Sequence, residues 1–374
     1  MRLLNKEKLK HNIEEIATFD LTNNNLFGSS YFVYQNGEVV LKKHFGHISI
    51  DGKDPVDDTT IYRLASMTKP ITAVAILILV DRGLISLDEP VSKYIPEFED
   101  IHIITSDGAD LGKTKTPVTI LHCLTHTSGI GGVKVIDVDD KAKETIADTI
   151  NYYINAGLDF EPFTKQAYSG YAAFDVLAAV VEKVTGQYYD DFIKKEIFIP
   201  CNMSDTTFSP SEEQWNRFMT MHNKVNERND VGITYPGCVF EKFPCKHNLA
   251  GAGLVSTLKD YSNFAKMLLN KGKIDNYKIL SEQTFRKLST PYVPKDIMPG
   301  YESWGLGVRV ITDKKYPNLT VGSFGWSGAY GSHFWIDPEN NIVAVFMKNS
   351  RFDGGAGNCS ARRFKEAVFN SLTY

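Results

Sequence analysis

The chain has no apolar run long enough to cross a bilayer. The longest, Ile71 to Val80, is about half of the ~20 residues a spanning helix needs. No membrane span is expected. Cysteine is scarce: Cys123, Cys201, Cys238, Cys245 and Cys359 are odd in number and scattered, with no Cys-x-x-Cys pair. They read as free thiols in a reducing compartment. Positive charge is not in excess. A net charge of −4 leaves no basic field for nucleic acid or an anionic membrane. The opening residues, "MRLLNKEKLKHNIEEIATFD", lack the apolar run of a signal peptide, so the expected location is the cytoplasm. Familiar catalytic signatures are missing too. There is no Gly-x-Ser-x-Gly elbow, no glycine-rich nucleotide loop after a strand, and no His-Glu-x-x-His. His122, Cys123 and His126 stand together without a further ligand cluster, so no metal and no cofactor are expected.

What is present suits a globular protein of 374 residues, built as one large domain or two lobes. Near the N-terminus, β-rich runs at Tyr31 to Tyr34 and Val39 to His44 flank Asn36-Gly37, a strong hairpin signal. Helix-like segments fill the middle, among them "DKAKETIADTINYYINAG", "AAFDVLAAVVEKVTG" and "LKDYSNFAKMLLNKG". In "AAFDVLAAVVEKVTG", Phe174, Leu177, Ala178, Val181 and Val184 share one face, and Gly186 follows the last turn. The last third returns to strands, with Asp337 to Asn341 as a turn, and ends in a helix near Ser360 to Leu372. Strands at both ends with helices between them predict an α+β fold: an antiparallel sheet built from both termini, with an inserted helical lobe. Residues 1–82 with 270–374 form the expected sheet lobe and residues 83–269 the helical one. Cys201 to Asn248 is irregular and rich in Pro, Asn and aromatics, suited to loops around a site.

Two Ser-x-x-Lys pairs occur, Ser66/Lys69 and Ser256/Lys259. About one or two are expected by chance in a chain of this size, so spacing alone selects neither. In the second, Thr257 and Asp260 have capping spacing before an amphipathic helix with Leu258, Tyr261, Phe264 and Leu268 inward. Lys259 then simply points to water. The first pair stands at the mouth of the helix-like "LASMTKPITAVAILILVDRG", where only Thr72 interrupts the apolar run Ile71 to Val80. Ser66 as a plain N-cap is one reading. Yet that places a cation in the first turn of a buried helix, against its dipole. Shielding and a positive dipole end favour a neutral amine, which a lysine needs to act as base toward serine. The i, i+3 spacing brings amine and hydroxyl together, and free backbone N–H groups at a helix start can hold an oxyanion. Each awkward feature suits acyl transfer.

"DDTTIYRLASMTKPITAVAILILVDRGLISLDEPVSKYIPEF", followed by "LTHTSGI", resembles the serine β-lactamase and penicillin-binding-protein superfamily. The resemblance runs from about Asp58 to Phe346. It is nearest the class C β-lactamase-like branch, which includes family VIII carboxylesterases and D-alanyl-D-alanine carboxypeptidases. It implies a five-stranded antiparallel sheet flanked by helices, with a mostly helical lobe. It assigns Ser66 as nucleophile and Lys69 as its proton acceptor or electrostatic partner. It places Tyr168, with Tyr171 as the alternative, in the position of a tyrosine that deprotonates serine or protonates the leaving group. Gly170 stands where β-lactamases carry asparagine. It matches Trp326-Ser327-Gly328 to a Lys-Thr-Gly-type motif on an edge strand, where these residues and Gly170 would contact substrate and glycine lets it lie close to the strand backbone, with the N–H groups of Ala329 and Ser66 as oxyanion hole. His126 and Ser128 fall to loop hydrogen bonding; His333 lines the site or packs.

Two departures bear on substrate. Trp326 replaces a cation that would bind a carboxylate, and Gly170 removes an amide. Both turn the expectation from β-lactams toward small or medium acyl esters, because an indole favours apolar groups. The expected partner is a small-molecule ester or amide. The alternatives are a penicillin-binding sensor acylated with slow turnover, a peptidase of D-amino-acid peptides, and an acyltransferase. Nothing in the sequence sets the oligomeric state.

Overall fold

In the computed structural model of the chain, Asn36 (φ 51°) and Gly37 (φ 91°) both adopt left-handed backbone conformations, as a type I′ turn requires. They join β1 (Gly28–Gln35) to β2 (Glu38–Gly46), with Gln35 opposite Glu38. The structure describes residues 1–23, 26–49, 52–131, 145–224, 231–233, 248–352, 355–357 and 359–373. Cys238, Cys245 and part of the segment expected to form loops around a site (225–230 and 234–247) lie outside them, as do the first residues of the helix expected from Asp140. Cys123, Cys201 and Cys359 are free thiols. No helix among the described residues is long and apolar enough to cross a membrane.

The main sheet is antiparallel and has seven strands among the described residues, not the five the resemblance implies. The other strands are β5 (Glu302–Trp304), β6 (Arg309–Ile311), β7 (Phe324–Ser327), β8 (His333–Asp337) and β9 (Ile342–Met347). Their order is β5-β6-β7-β8-β9-β1-β2. The extra strands arise where "WGLGVRVI" folds back on itself. Gly307 takes φ 69°, and a side chain at Gly305 would come within 2.3 Å of the Leu288 carbonyl. A turn forms there and Trp304 pairs with Arg309.

Strand β9, "IVAVFM", is buried throughout because both faces of the sheet are covered. On one face, α1 (Lys6–Asn23) and α7 (Cys359–Asn370) pack around Tyr31, Val33, Trp335, Phe346 and Phe364. On the other lies α6 (Leu258–Leu269), where Tyr261 meets Phe334 edge-on with ring centroids 5.2 Å apart.

Helix α2 (Lys69–Asp81) is buried at every position from Lys69 to Leu79. An all-apolar helix has no face to give to water. It packs against α5 (Ala172–Thr185), which also contacts α3 (Ile120–Leu124) and α4 (Ile146–Ala156). These neighbours enclose α5, so burial extends over all of Ala172 to Val181 rather than the one face its periodicity suggests. Gly186, at φ 68°, closes the helix as expected.

Candidate active site

A short 3-10 turn, Ala65–Thr68, carries Ser66 into the start of α2. Ala65 is held at φ 45°, a left-handed conformation that costs a residue with a β-carbon on the order of 1–3 kcal/mol. It packs against Met221 and Tyr330. Ser66 is not a cap: neither the turn nor α2 receives a side-chain cap bond. Its hydroxyl lies 3.4 Å from Lys69 Nζ. Lys69 is fully buried. Its nitrogen is within hydrogen-bond reach of Ser66 Oγ, of the Gly170 carbonyl, and of the Gly251 carbonyl at 2.8 Å. None of these partners is a carboxylate.

Two residues that sequence reasoning passed over hold this arrangement. A β-carbon on Gly251 would stand 2.7 Å from Tyr171 Cα and 3.3 Å from Lys69 Nζ, so only glycine lets the carbonyl approach. Thr72, the one polar residue inside the apolar run, donates to the Ala250 carbonyl at 2.6 Å and bonds the Tyr189 hydroxyl at 2.6 Å. The Ala250 N–H donates to Asp175 at 2.9 Å. Segment 250–251 is thus tied to both α2 and α5. The available signal was a threonine in an otherwise apolar helix.

Tyr168 lies beside the amine, with its ring centroid 4.9 Å from Lys69 Nζ. Its hydroxyl accepts from Trp326 Nε1 at 3.3 Å, and the side chain is 40% exposed. Tyr171 approaches through its Cα, against Gly251. Burial and the Asp175 carboxylate push its phenol above the ordinary range. Gly170 contributes its carbonyl, and a β-carbon there would meet nothing within 4 Å. The space of the missing amide is open. His126 Nδ1 accepts from the Ser169 N–H at 3.1 Å, and its ring lies 4.5 Å from that of Tyr168. Burial, with the charges of Lys69 and Arg309, holds this imidazole well below its usual range. Ser128 accepts from the Ile130 N–H at 3.1 Å, a loop contact. His122 closes a capping box with Thr119 at the start of α3. No group of three metal-ligating side chains occurs among the described residues.

Strand β7 supplies the opposite wall, but not as a simple edge strand. It lies between β6 and β8. Strand β6 pairs only with Phe324 and Gly325, so Trp326 and Ser327 keep an open side. Trp326 joins an aromatic wall with Trp304, at 4.6 Å between ring centroids, and Tyr168, at 5.5 Å. Trp304 was not anticipated. Ser327, expected to face substrate, turns the other way: its hydroxyl lies 2.6 Å from His333 Nδ1. Strand alternation requires this once Trp326 faces the cleft. His333 therefore stands behind the strand rather than in the site. Gly328 also has a different reason from the one expected. A β-carbon there would lie 2.3 Å from both the Leu64 carbonyl and Ser332 Oγ. Close contact with the turn before Ser66, not substrate, demands glycine. The same contact sets the end of β7 against the turn that carries Ser66. Neither backbone N–H of these two residues has a hydrogen-bond partner among the described residues. A cation does stand near the aromatic wall, unforeseen: Arg309 lies 4.2 Å from the Trp304 ring, paired with Glu302 at 2.9 Å.

The family model for beta-lactamases matches residues 11–366. Esterase EstB of Burkholderia gladioli is 28% identical over 376 residues, covering 91% of this chain and 91% of its own. Among solved structures, EstCE1, a hydrolase with promiscuous acyltransferase activity, superposes with a TM-score of 0.83 at 21% identity, over 97% of this chain and 99% of its own. A family VIII carboxylesterase gives a TM-score of 0.79 at 18% identity, over 97% and 98%.

Proposed function

This chain belongs to the beta-lactamase family of serine hydrolases, and from that premise we propose that it is a carboxylesterase for small or medium acyl esters. The observation that carries this reading is the Ser66–Lys69 pair, 3.4 Å apart, with the amine buried and its other protons on two carbonyls. Ser66 Oγ attacks the ester carbonyl carbon. Its proton passes to the lone pair of Lys69 as the neutral amine, whose two N–H groups stay on the carbonyls, and the oxyanion forms at the N–H groups of Ser66 and Ala329. The C–O bond to the alcohol breaks as Tyr168 gives its phenol proton to the leaving oxygen and takes one from Lys69. Water then attacks the acyl-enzyme, releasing the acid and restoring Ser66.

The wall facing this pair supports an ester rather than an anionic β-lactam. It is made of Trp326, Trp304 and Tyr168, and an aromatic surface suits apolar acyl or alcohol groups. The cation near it is already paired with Glu302. Similarity to EstB and EstCE1 agrees with acyl chemistry.

The test is hydrolysis of p-nitrophenyl acetate and butyrate, with a chromogenic cephalosporin alongside, by wild type and Ser66→Ala. Expected is ester turnover that disappears in Ser66→Ala, with little cephalosporin turnover. Equal ester rates in the two proteins would overturn the assignment. A long-lived cephalosporin adduct by intact mass, without ester turnover, would instead make the chain a penicillin-binding sensor.

A further inference from the structure

A cavity of about 220 Å³ lies behind the Trp326–Ser327 strand, between β7 with its neighbours and helix α7. Its lining is of two kinds. Ile311, Leu319 and Trp335 give apolar wall; Arg309, Arg362 and Lys365 give positive charge. Glu302, the one carboxylate among the lining residues, is spent on Arg309 at 2.9 Å. Arg362 donates to Cys359 Sγ at 3.1 Å, and Lys365 reaches the Tyr316 hydroxyl at 3.4 Å. Neither cation has a carboxylate partner among the described residues. Arg362 and Lys365 thus bring positive charge to an amphipathic cavity whose one carboxylate among the described residues, Glu302, is bonded to Arg309 and reaches Lys365 only at longer range.

The second, independent observation is His333. Its side chain lines the cavity and is only 8% exposed. Nδ1 is bonded to Ser327, and Nε2 has no hydrogen-bond partner. A buried polar atom without a partner costs roughly 1–3 kcal/mol, so the fold carries a defect that a ligand would repair. Burial and the nearby Lys365 hold the imidazole well below its usual range, so the ring is neutral. In the tautomer where the Ser327 hydroxyl donates to Nδ1, the ring proton sits on Nε2 and is available to an acceptor.

We propose that this cavity binds a small organic carboxylate with an apolar body. The carboxylate accepts from His333 Nε2 and from Arg362 and Lys365; the body rests on Ile311, Leu319 and Trp335. The site is separate from Ser66 and does not depend on the esterase reading. It lies behind the strand that carries Trp326, which also borders it, one hydrogen bond away through Ser327.

The test is calorimetric titration of the full chain with benzoate, with benzamide as the neutral isostere and inorganic phosphate as the control for charge alone. The His333 ring nitrogens are followed by NMR. Expected is saturable benzoate binding that shifts the His333 Nε2 resonance. Benzamide, and benzoate with Arg362→Gln/Lys365→Met, should each bind at least about 10-fold more weakly, as loss of charge-assisted hydrogen bonds implies. Arg362→Gln alone, at an exposed position, should weaken binding about 3-fold and decides the matter if the double variant does not fold. The proposal fails if benzoate does not saturate, binds the variants as tightly as wild type, or leaves His333 unshifted. It also fails if phosphate binds as tightly as benzoate, since the apolar wall would then contribute nothing.

Discussion

Ser66/Lys69 and Ser256/Lys259 have the same spacing and opposite fates. Ser256 is buried in β4 (Val255–Thr257), opposite Tyr62 in β3 (Ile61–Arg63), with its hydroxyl 2.7 Å from Thr206 Oγ1. Lys259 lies one residue into α6 and is exposed. Thr257 caps that helix by accepting from the Asp260 N–H at 3.2 Å, so the serine has no part in starting it. In the first pair the positions are exchanged: the lysine is buried and the serine only half-buried. A strained turn, not a strand, carries the serine, and two carbonyls draw the amine inward. On the proposed mechanism, reactivity follows from which member of the pair the fold buries.

The largest expected contrast is between the two serines. Ser66→Ala should lower ester kcat/KM by at least about 10³-fold, as loss of a nucleophile does. Ser256→Ala should leave it within twofold and cost about 1 kcal/mol of stability through the lost buried bond. Kinetics with urea unfolding checks both. The lysines come next. Lys69→Met should remove activity on the order of 10²-fold or more, the range for lost proton transfer. Lys259→Met should change neither rate nor, beyond about 0.5 kcal/mol, stability.

A smaller effect probes the carbonyls that hold the buried amine. Gly251→Ala must displace Tyr171 or the Lys69 amine, and misplacement of a catalytic group should lower kcat roughly 10-fold or more. Gly170→Ala adds its methyl to open space and should stay near the wild-type rate. The gentlest test concerns burial itself. His126, His222 and His333 are held below the ordinary histidine range by burial, His222 at about 4. Unfolding frees each to take a proton. Stability is therefore full above about pH 6.5 and falls as pH drops toward 4, by up to ~1.4 kcal/mol per pH unit for each histidine. His222→Gln, away from Ser66, should flatten that slope in urea melts at pH 7, 6 and 5 without altering the ester rate at pH 7.

Local features carried much of this in the sequence. Asn36-Gly37 specified its hairpin, Thr257 and Asp260 specified a helix start, and the unbroken apolar run specified a buried helix with Lys69 at its mouth. The family resemblance led to Tyr168 and to the Trp326 motif, which the fold brings to the same cleft. What escaped depends on chain reversals and distant neighbours. The hairpin of β5 and β6 hides inside one strand-like run, and it seats Trp304 and Arg309 beside the cleft. Gly251 is 182 residues from the amine it holds. Ser327 was placed on the substrate face, although alternation with Trp326 puts it behind the strand.

By itself, the sequence determined the periodicities, the turns and the burial of α2, because these follow from side chains and backbone within a few residues. Tertiary structure alone decided which serine meets a buried amine. That depends on carbonyls from two distant segments and on a strand end pressed against the turn before Ser66, contacts that no spacing along the chain encodes.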